Sequence, residues 1–250
     1  MKMKKIFSII MLLIAVSSYA ADDARMQQAL SLCQEGKFDE AVNTYEAILG
    51  EGRESATLYY NLGYAYYKSG QLGKAILNME RAQRLNPTDN DVKANLEQAY
   101  SLTDQMQTIE PVFFVRWWHQ FTNILNSDGW AVLFIILFVV MLLGIGAFLF
   151  ADVIALRKVG FFSAIIVFFL AVVSLSISIS KRNSVLYSQE AIIMSASVTL
   201  TTSPDKNGTE MAVLHEGTHL TIVSELGEWI EVQLKDGNIG WLKKSEVEVI

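Results

Sequence analysis

Two long runs without a single Asp, Glu, Lys or Arg, residues 129–151 and 159–180, limit what this 250-residue chain can fold into. A helix rising about 1.5 Å per residue needs about 20 residues to cross the hydrocarbon layer of a bilayer, roughly 30 Å thick. Both runs meet that length. Trp130 to Phe150 reads WAVLFIILFVVMLLGIGAFLF, with neither alternation nor a polar face. The two runs predict two transmembrane helices, over 129–151 and 159–180, joined by a short cytoplasmic loop, 152–158, that carries Arg157 and Lys158. They also locate the apolar excess of the whole chain: 52% hydrophobic and 18% charged residues, where soluble domains carry about 25% charged.

A third uncharged run, residues 6–21, follows Lys2, Lys4 and Lys5 and ends in Ser18-Tyr19-Ala20. A basic start, a short apolar stretch and small residues three apart describe a signal peptide over residues 1–20, cleaved after Ala20. Two spans then leave both flanking segments on the same, extracytoplasmic side of a bacterial inner membrane. Arg116, Lys181 and Arg182 balance Arg157 and Lys158, so the loop charges favour neither orientation. Residues 106–128 form an interfacial linker, where Trp117, Trp118 and Phe121, with Trp130, suit an aromatic belt. The segments on either side are acidic. Residues 22–110 hold 14 acids and 8 bases, and 184–250 hold 10 acids and 4 bases. Such surfaces disfavour nucleic acid and anionic lipid.

The first acidic segment repeats itself. A shift of 34 places Ala29 on Gly63, Leu32 on Tyr66, Gly36 on Gly70, Phe38 on Leu72, Ala41 on Ala75, Tyr45 on Met79 and Ile48 on Ala82. Small residues let adjacent helices approach, and large ones fill the gaps between them. Gly36 and Gly70 break each unit into two helices, and Asn86-Pro87 ends the second. This pattern, clearest from Tyr59 to Pro87, resembles the tetratricopeptide repeat. It gives an all-α solenoid over 22–105: units 22–55 and 56–89, and a closing helix 90–105. In such a solenoid the first helix of each unit lines the groove. That face carries Tyr60, Asn61, Tyr64, Tyr67 and Lys68, with Asn95 and Gln98 a repeat later. Asn amides can hydrogen-bond a peptide backbone and Tyr adds area with a polar tip, so these seven residues are the candidate peptide-binding groove.

The last segment, 187–250, changes period. Ile230, Val232 and Leu234 alternate with Glu231 and Gln233, and Asp236-Gly237 is a hairpin signal. Thr199–Thr202 and Leu220–Val223 also read as strands, and five short strands predict a small barrel. Gly217, Gly227, Trp229, Asp236-Gly237 and Gly240-Trp241 resemble the bacterial SH3-like domain. The fold class is therefore a multidomain membrane protein: tetratricopeptide solenoid, transmembrane hairpin and all-β SH3-like small barrel.

One catalytic pattern competes. His215-Glu216-Gly217-Thr218-His219 matches the H-E-x-x-H zinc-peptidase signature. That chemistry needs a helix, so that both histidines share a face and the glutamate reaches the zinc-bound water. Gly217 at the centre and the alternating Leu220-Thr221-Ile222 favour a turn and a strand. The sequence yields no other catalytic constellation and no cofactor or metal site.

The order of signal peptide, repeats, two spans and SH3-like module resembles the BatE-type aerotolerance family. The resemblance implies assembly with membrane proteins of a Bat-type envelope complex, in oxidative-stress or envelope homeostasis. The expected function is a non-enzymatic, membrane-anchored periplasmic adaptor for protein–protein interaction. The alternatives are a peptidoglycan-binding envelope sensor and, last, a zinc metallopeptidase using His215, Glu216 and His219.

Overall fold

A computed structural model describes residues 24–103, 112–205 and 208–250. The expected signal peptide, residues 1–20, lies outside them. The chain divides into two compact units. One holds most of the repeats and the C-terminal β-module; the other comprises, of the described residues, 84–89 and 112–188.

Five helices build the repeats: α1 (residues 24–34), α2 (Phe38–Gly50), α3 (Ala56–Lys68), α4 (Leu72–Leu85) and α5 (Asn90–Tyr100). The turn α1–α2 is the turn α3–α4 shifted by one repeat. Gly36 and Gly70 take φ of +77° and +82°. Lys37 N–H donates to Leu32 O and Gln71 N–H to Tyr66 O, while Gly36 and Gly70 donate to Cys33 O and Tyr67 O. Both turns thus satisfy the last carbonyls of the first helix with a glycine in the left-handed region. Close approach explains Gly63: a Cβ there would lie 2.8 Å from Met79 Cγ and 3.0 Å from Ala75 O. Side-chain bonds repeat as well. Tyr66 Oη donates to Glu46, and Tyr100 Oη to Glu80 at 2.5 Å. Arg25, at a position that is large and apolar in such repeats, instead forks Glu51 at 2.7 and 2.8 Å. The closing helix ends at Tyr100, short of the expected residue 105; residues 101–103 form a turn on the carbonyls of Glu97, Ala99 and Tyr100.

Among the described residues the β-module has seven strands, two more than the five expected: β1 (Glu190–Ile193), β2 (Ser197–Thr201), β3 (Glu210–His215), β4 (His219–Leu226), β5 (Trp229–Leu234), β6 (Ile239–Lys243) and β7 (Val247–Val249). Their order is β3-β2-β6-β5-β4-β1-β7, antiparallel throughout. Alternation cannot reveal β1, whose Ala191, Ile192 and Ile193 are all buried, and β7 is only three residues long. The sheet wraps one core that includes Val198, Leu200, Leu214, Leu220, Ile230 and Leu242.

The second unit contains α6 (Phe113–Thr122), α7 (Ser127–Phe150) and α8 (Ile154–Leu186). Helices α7 and α8 are long and apolar enough to cross a membrane, with most of their surface outside any protein core. They pack as a hairpin through small residues. A Cβ on Gly160 would lie 2.6 Å from Gly144 O and 2.9 Å from Phe148 N. Ser174 and Ser178 hydroxyls donate to the Trp130 and Ser127 carbonyls at 2.8 and 3.0 Å. The connection is shorter than the expected loop 152–158: only Ala151–Val153 separate the helices. Arg157 belongs to the first turn of α8, where its Nε donates to Phe148 O at 3.2 Å. A charge marks the end of an apolar run, but it does not end a helix, and α8 runs to 33 residues. At 1.5 Å per residue that is about 50 Å, well beyond the hydrocarbon thickness.

Candidate functional site: the repeat groove and the docked β-module

Helix α3 positions Tyr60, Asn61, Tyr64, Tyr67 and Lys68; α5 positions Asn95 and Gln98. Ser55 accepts Leu58 N–H at 3.1 Å and fixes the start of α3. Two subsets of the seven meet. Asn95 Nδ2 donates to Tyr60 Oη at 2.9 Å, bridging the first helices of successive units. Lys68 Nζ lies 5.4 Å from the Tyr64 ring centre and 5.9 Å from that of Tyr67, within cation–π range. Asn61 is half-buried and Gln98 exposed. Tyr64 and Tyr67 are half-buried against a cluster to which both the repeats and the β-module contribute, so part of their area is already used in packing.

The β-module docks on the repeats through α4 and α5. Ile192 and Ile250 share a buried cluster with Ile76, Leu77, Met79, Leu96 and Ala99. Around it, Arg81 donates to Glu248 at 3.1 Å and to Val249 O at 2.8 Å. Lys235 Nζ lies 4.5 Å from the Tyr100 ring centre. The Glu216 carboxylate accepts Gly73 N–H at 2.7 Å. Gly73 and Gly217 allow the approach: a Cβ on Gly73 would meet Ile193 O at 3.0 Å, and one on Gly217 would meet Ile76 and Thr103, each at 2.8 Å. Sequence reasoning did not find this contact. Its signals were small residues in places where repeat packing alone did not require them.

The H-E-x-x-H residues form the β3–β4 turn. His215 ends β3 opposite Ser197, His219 opens β4 opposite Ile192, and Gly217 between them has φ +83°. Gly217 N–H donates to Ile193 O at 2.8 Å. The histidines therefore do not share a helical face, and Glu216 is turned to α4. Among the described residues no three His, Cys, Asp or Glu side chains are grouped to hold a metal.

The described residues thus comprise a helical-repeat body with a docked β-module and, as a separate unit, an apolar helical hairpin. Two family models match. Residues 26–90 match the tetratricopeptide repeat, and residues 173–248 match the GW (Gly-Tryp) dipeptide domain, beginning within α8. The dipeptide stands here as Gly240-Trp241. No curated protein matches the chain. Both modules are of the kind that binds proteins or cell wall.

Proposed function

We propose that this protein is a non-enzymatic, membrane-anchored adaptor whose repeats and β-module act outside the cytoplasm as one binding body. The observation that carries this reading is the docking of residues 189–250 on α4 and α5. The two modules flank the apolar hairpin in sequence. They can touch only if an even number of spans returns the chain to the side it left. Two spans return the chain to that side and so allow the contact, and the signal-peptide pattern supports the periplasm of a bacterial inner membrane as the side in question.

The groove of Tyr60, Asn61, Tyr64, Tyr67, Lys68, Asn95 and Gln98 would hold an extended segment of a partner protein. Asn61 and Gln98 offer amides, and Lys68 sets a positive charge among tyrosines. Following the domain-order resemblance, the partners would be membrane proteins of a BatE-type complex serving aerotolerance or envelope homeostasis. The test is capture of envelope proteins by the detergent-solubilised full-length chain. A Lys68→Glu, Gln98→Ala double variant alters exposed side chains and should lose the captured protein. Unchanged capture would remove the groove from the reading. The match to the GW domain favours a second reading, wall binding by the β-module. Co-sedimentation of the full-length protein in nanodiscs with purified peptidoglycan separates the two.

A further inference from the structure

We infer that α6 is an in-plane membrane helix, seated by its aromatic face in the interfacial layer of the bilayer. On a wheel of 100° per residue, Phe113, Phe114, Trp117, Trp118 and Phe121 occupy one face, and Val115, Arg116, His119, Gln120 and Thr122 the other. Among the described residues, none covers the aromatic face. Phe113 and Phe114 are 81% and 68% exposed, and Trp117 and Trp118 are 48% and 43% exposed. Four large exposed aromatics on one face of a ten-residue helix require something to cover them.

Lipid is the occupant because this face continues into the apolar hairpin. The rings run Phe114–Trp117–Phe121–Trp130 with successive centres 5.9, 5.9 and 5.6 Å apart, and Trp130 lies in the first turn of α7. Trp130 Nε1 donates to Thr122 O at 2.9 Å, which ties the end of α6 to that turn. Helix α6 stops at Asn123, whose N–H returns to His119 O. At about 15 Å it is too short to span, and Arg116 and His119 keep its other side wet. An amphipathic helix rich in Trp and Phe at the polar end of a span has the composition of a helix lying at the headgroup boundary. This inference rests on the reading of α7 and α8 as spans.

Site-directed spin labelling of the full-length protein in phosphatidylcholine nanodiscs tests it. In a Cys33→Ser background, single cysteines would replace each residue from Val112 to Thr122, and separately Phe138 as the span reference. The readout is collision with oxygen, which partitions into lipid, against a nickel chelate, which stays in water. The expected oxygen-to-nickel ratio oscillates with the helical period. It is several-fold higher at Phe113, Phe114, Trp117 and Trp118 than at Val115 and His119, and lower than at Phe138. A flat, nickel-accessible profile over α6 with a lipid-buried Phe138 overturns the inference and leaves the spans standing. An aromatic face closed to both reagents also overturns it, since protein would then cover the face. A water-exposed Phe138 overturns the spans and the inference together.

Discussion

Glu216 caps helix α4 from the other module: its carboxylate accepts Gly73 N–H, 143 positions away in sequence, at 2.7 Å. Gly73 N–H is one of the N-terminal donors that no intrahelical carbonyl reaches. Gln71, just before the helix begins at Leu72, donates its side-chain amide to Ser69. A carboxylate there satisfies the donor and complements the positive end of the helix. Glu216→Ala should lower the unfolding free energy of the repeat and β-module unit by about 1–3 kcal/mol. Glu216→Gln keeps an acceptor and should cost less. Gly217→Ala should cost more than either, since it places a Cβ in the left-handed region and 2.8 Å from Ile76 and Thr103. Denaturant titration of the full-length protein in detergent, followed by far-UV circular dichroism, ranks the three. Unchanged stability in Glu216→Ala would show that this carboxylate does not hold the helix start.

Tyr66 makes the repeats sensitive to alkali. Burial pushes its hydroxyl well above the usual tyrosine range, and the hydrogen bond to Glu46 raises it further. Tyr45 is raised likewise, mainly by burial. A group whose folded pKa is raised stabilises the fold fully below its unfolded pKa, about 10 for tyrosine. That contribution is lost as pH rises from there toward the folded value. The repeats should therefore weaken above about pH 10, with the slope reduced in Tyr66→Phe. Spectrophotometric titration beside circular dichroism reads this. Tyrosinate formation at Tyr66 without loss of helix would contradict it.

How legible all this is depends on where each signal is written. The solenoid is written twice, so Gly36 and Gly70 are legible as the same turn in the sequence alone. The apolar runs announce α7 and α8 by composition alone. Their ends are less legible, because Arg157 looks like loop and is helix. The β-module shows itself where alternation holds, in β5, and hides in β1, which is buried along its length. The docking contact is the least legible part. Glu216 and Gly73 belong to no local pattern, and H-E-x-x-H drew Glu216 toward a chemistry its turn cannot support. In the groove, spacing brought Asn95 near Tyr60, but it could not say that the pair would bond to each other.

Gly240 shows what the glycine of the Gly-Trp dipeptide does for packing in this module. Strand β6 presses its backbone on Leu200, and a Cβ on Gly240 would lie 2.6 Å from Leu200 Cγ and 2.9 Å from both its methyl groups. Leu200 is 1% exposed and has no room to withdraw. Gly240→Ala should destabilise the module by about 1–3 kcal/mol, as overpacked cores do. The double change Gly240→Ala, Leu200→Ala should recover part of the overlap cost while opening a cavity of its own. Thermal melts of the three proteins check the sign of that coupling. Additive losses would mean that the two residues do not press on each other.

Gly160 should control the hairpin in the same way. Its missing Cβ would meet two backbone atoms, Gly144 O at 2.6 Å and Phe148 N at 2.9 Å, and neither can move without bending α7. Gly146 lies on the same helix as Gly144, yet a Cβ there meets nothing within 4 Å. Gly160→Leu should therefore force α7 and α8 apart, whereas Gly146→Leu should leave them packed. In apolar surroundings, close backbone approach and interhelical hydrogen bonds hold helices together. Ser174→Ala removes one such bond, to Trp130 O, and should weaken the pair by only about 0.6 kcal/mol. Ser127 and Ser178 exchange hydroxyl-to-carbonyl bonds at the other end of the hairpin. Cysteines at those two positions, in a Cys33→Ser background, should cross-link under mild oxidation. The yield should fall with Gly160→Leu, hold with Gly146→Leu and fall slightly with Ser174→Ala. Equal yields in the two leucine variants would show that the small-residue crossing does not set the spacing of the helices.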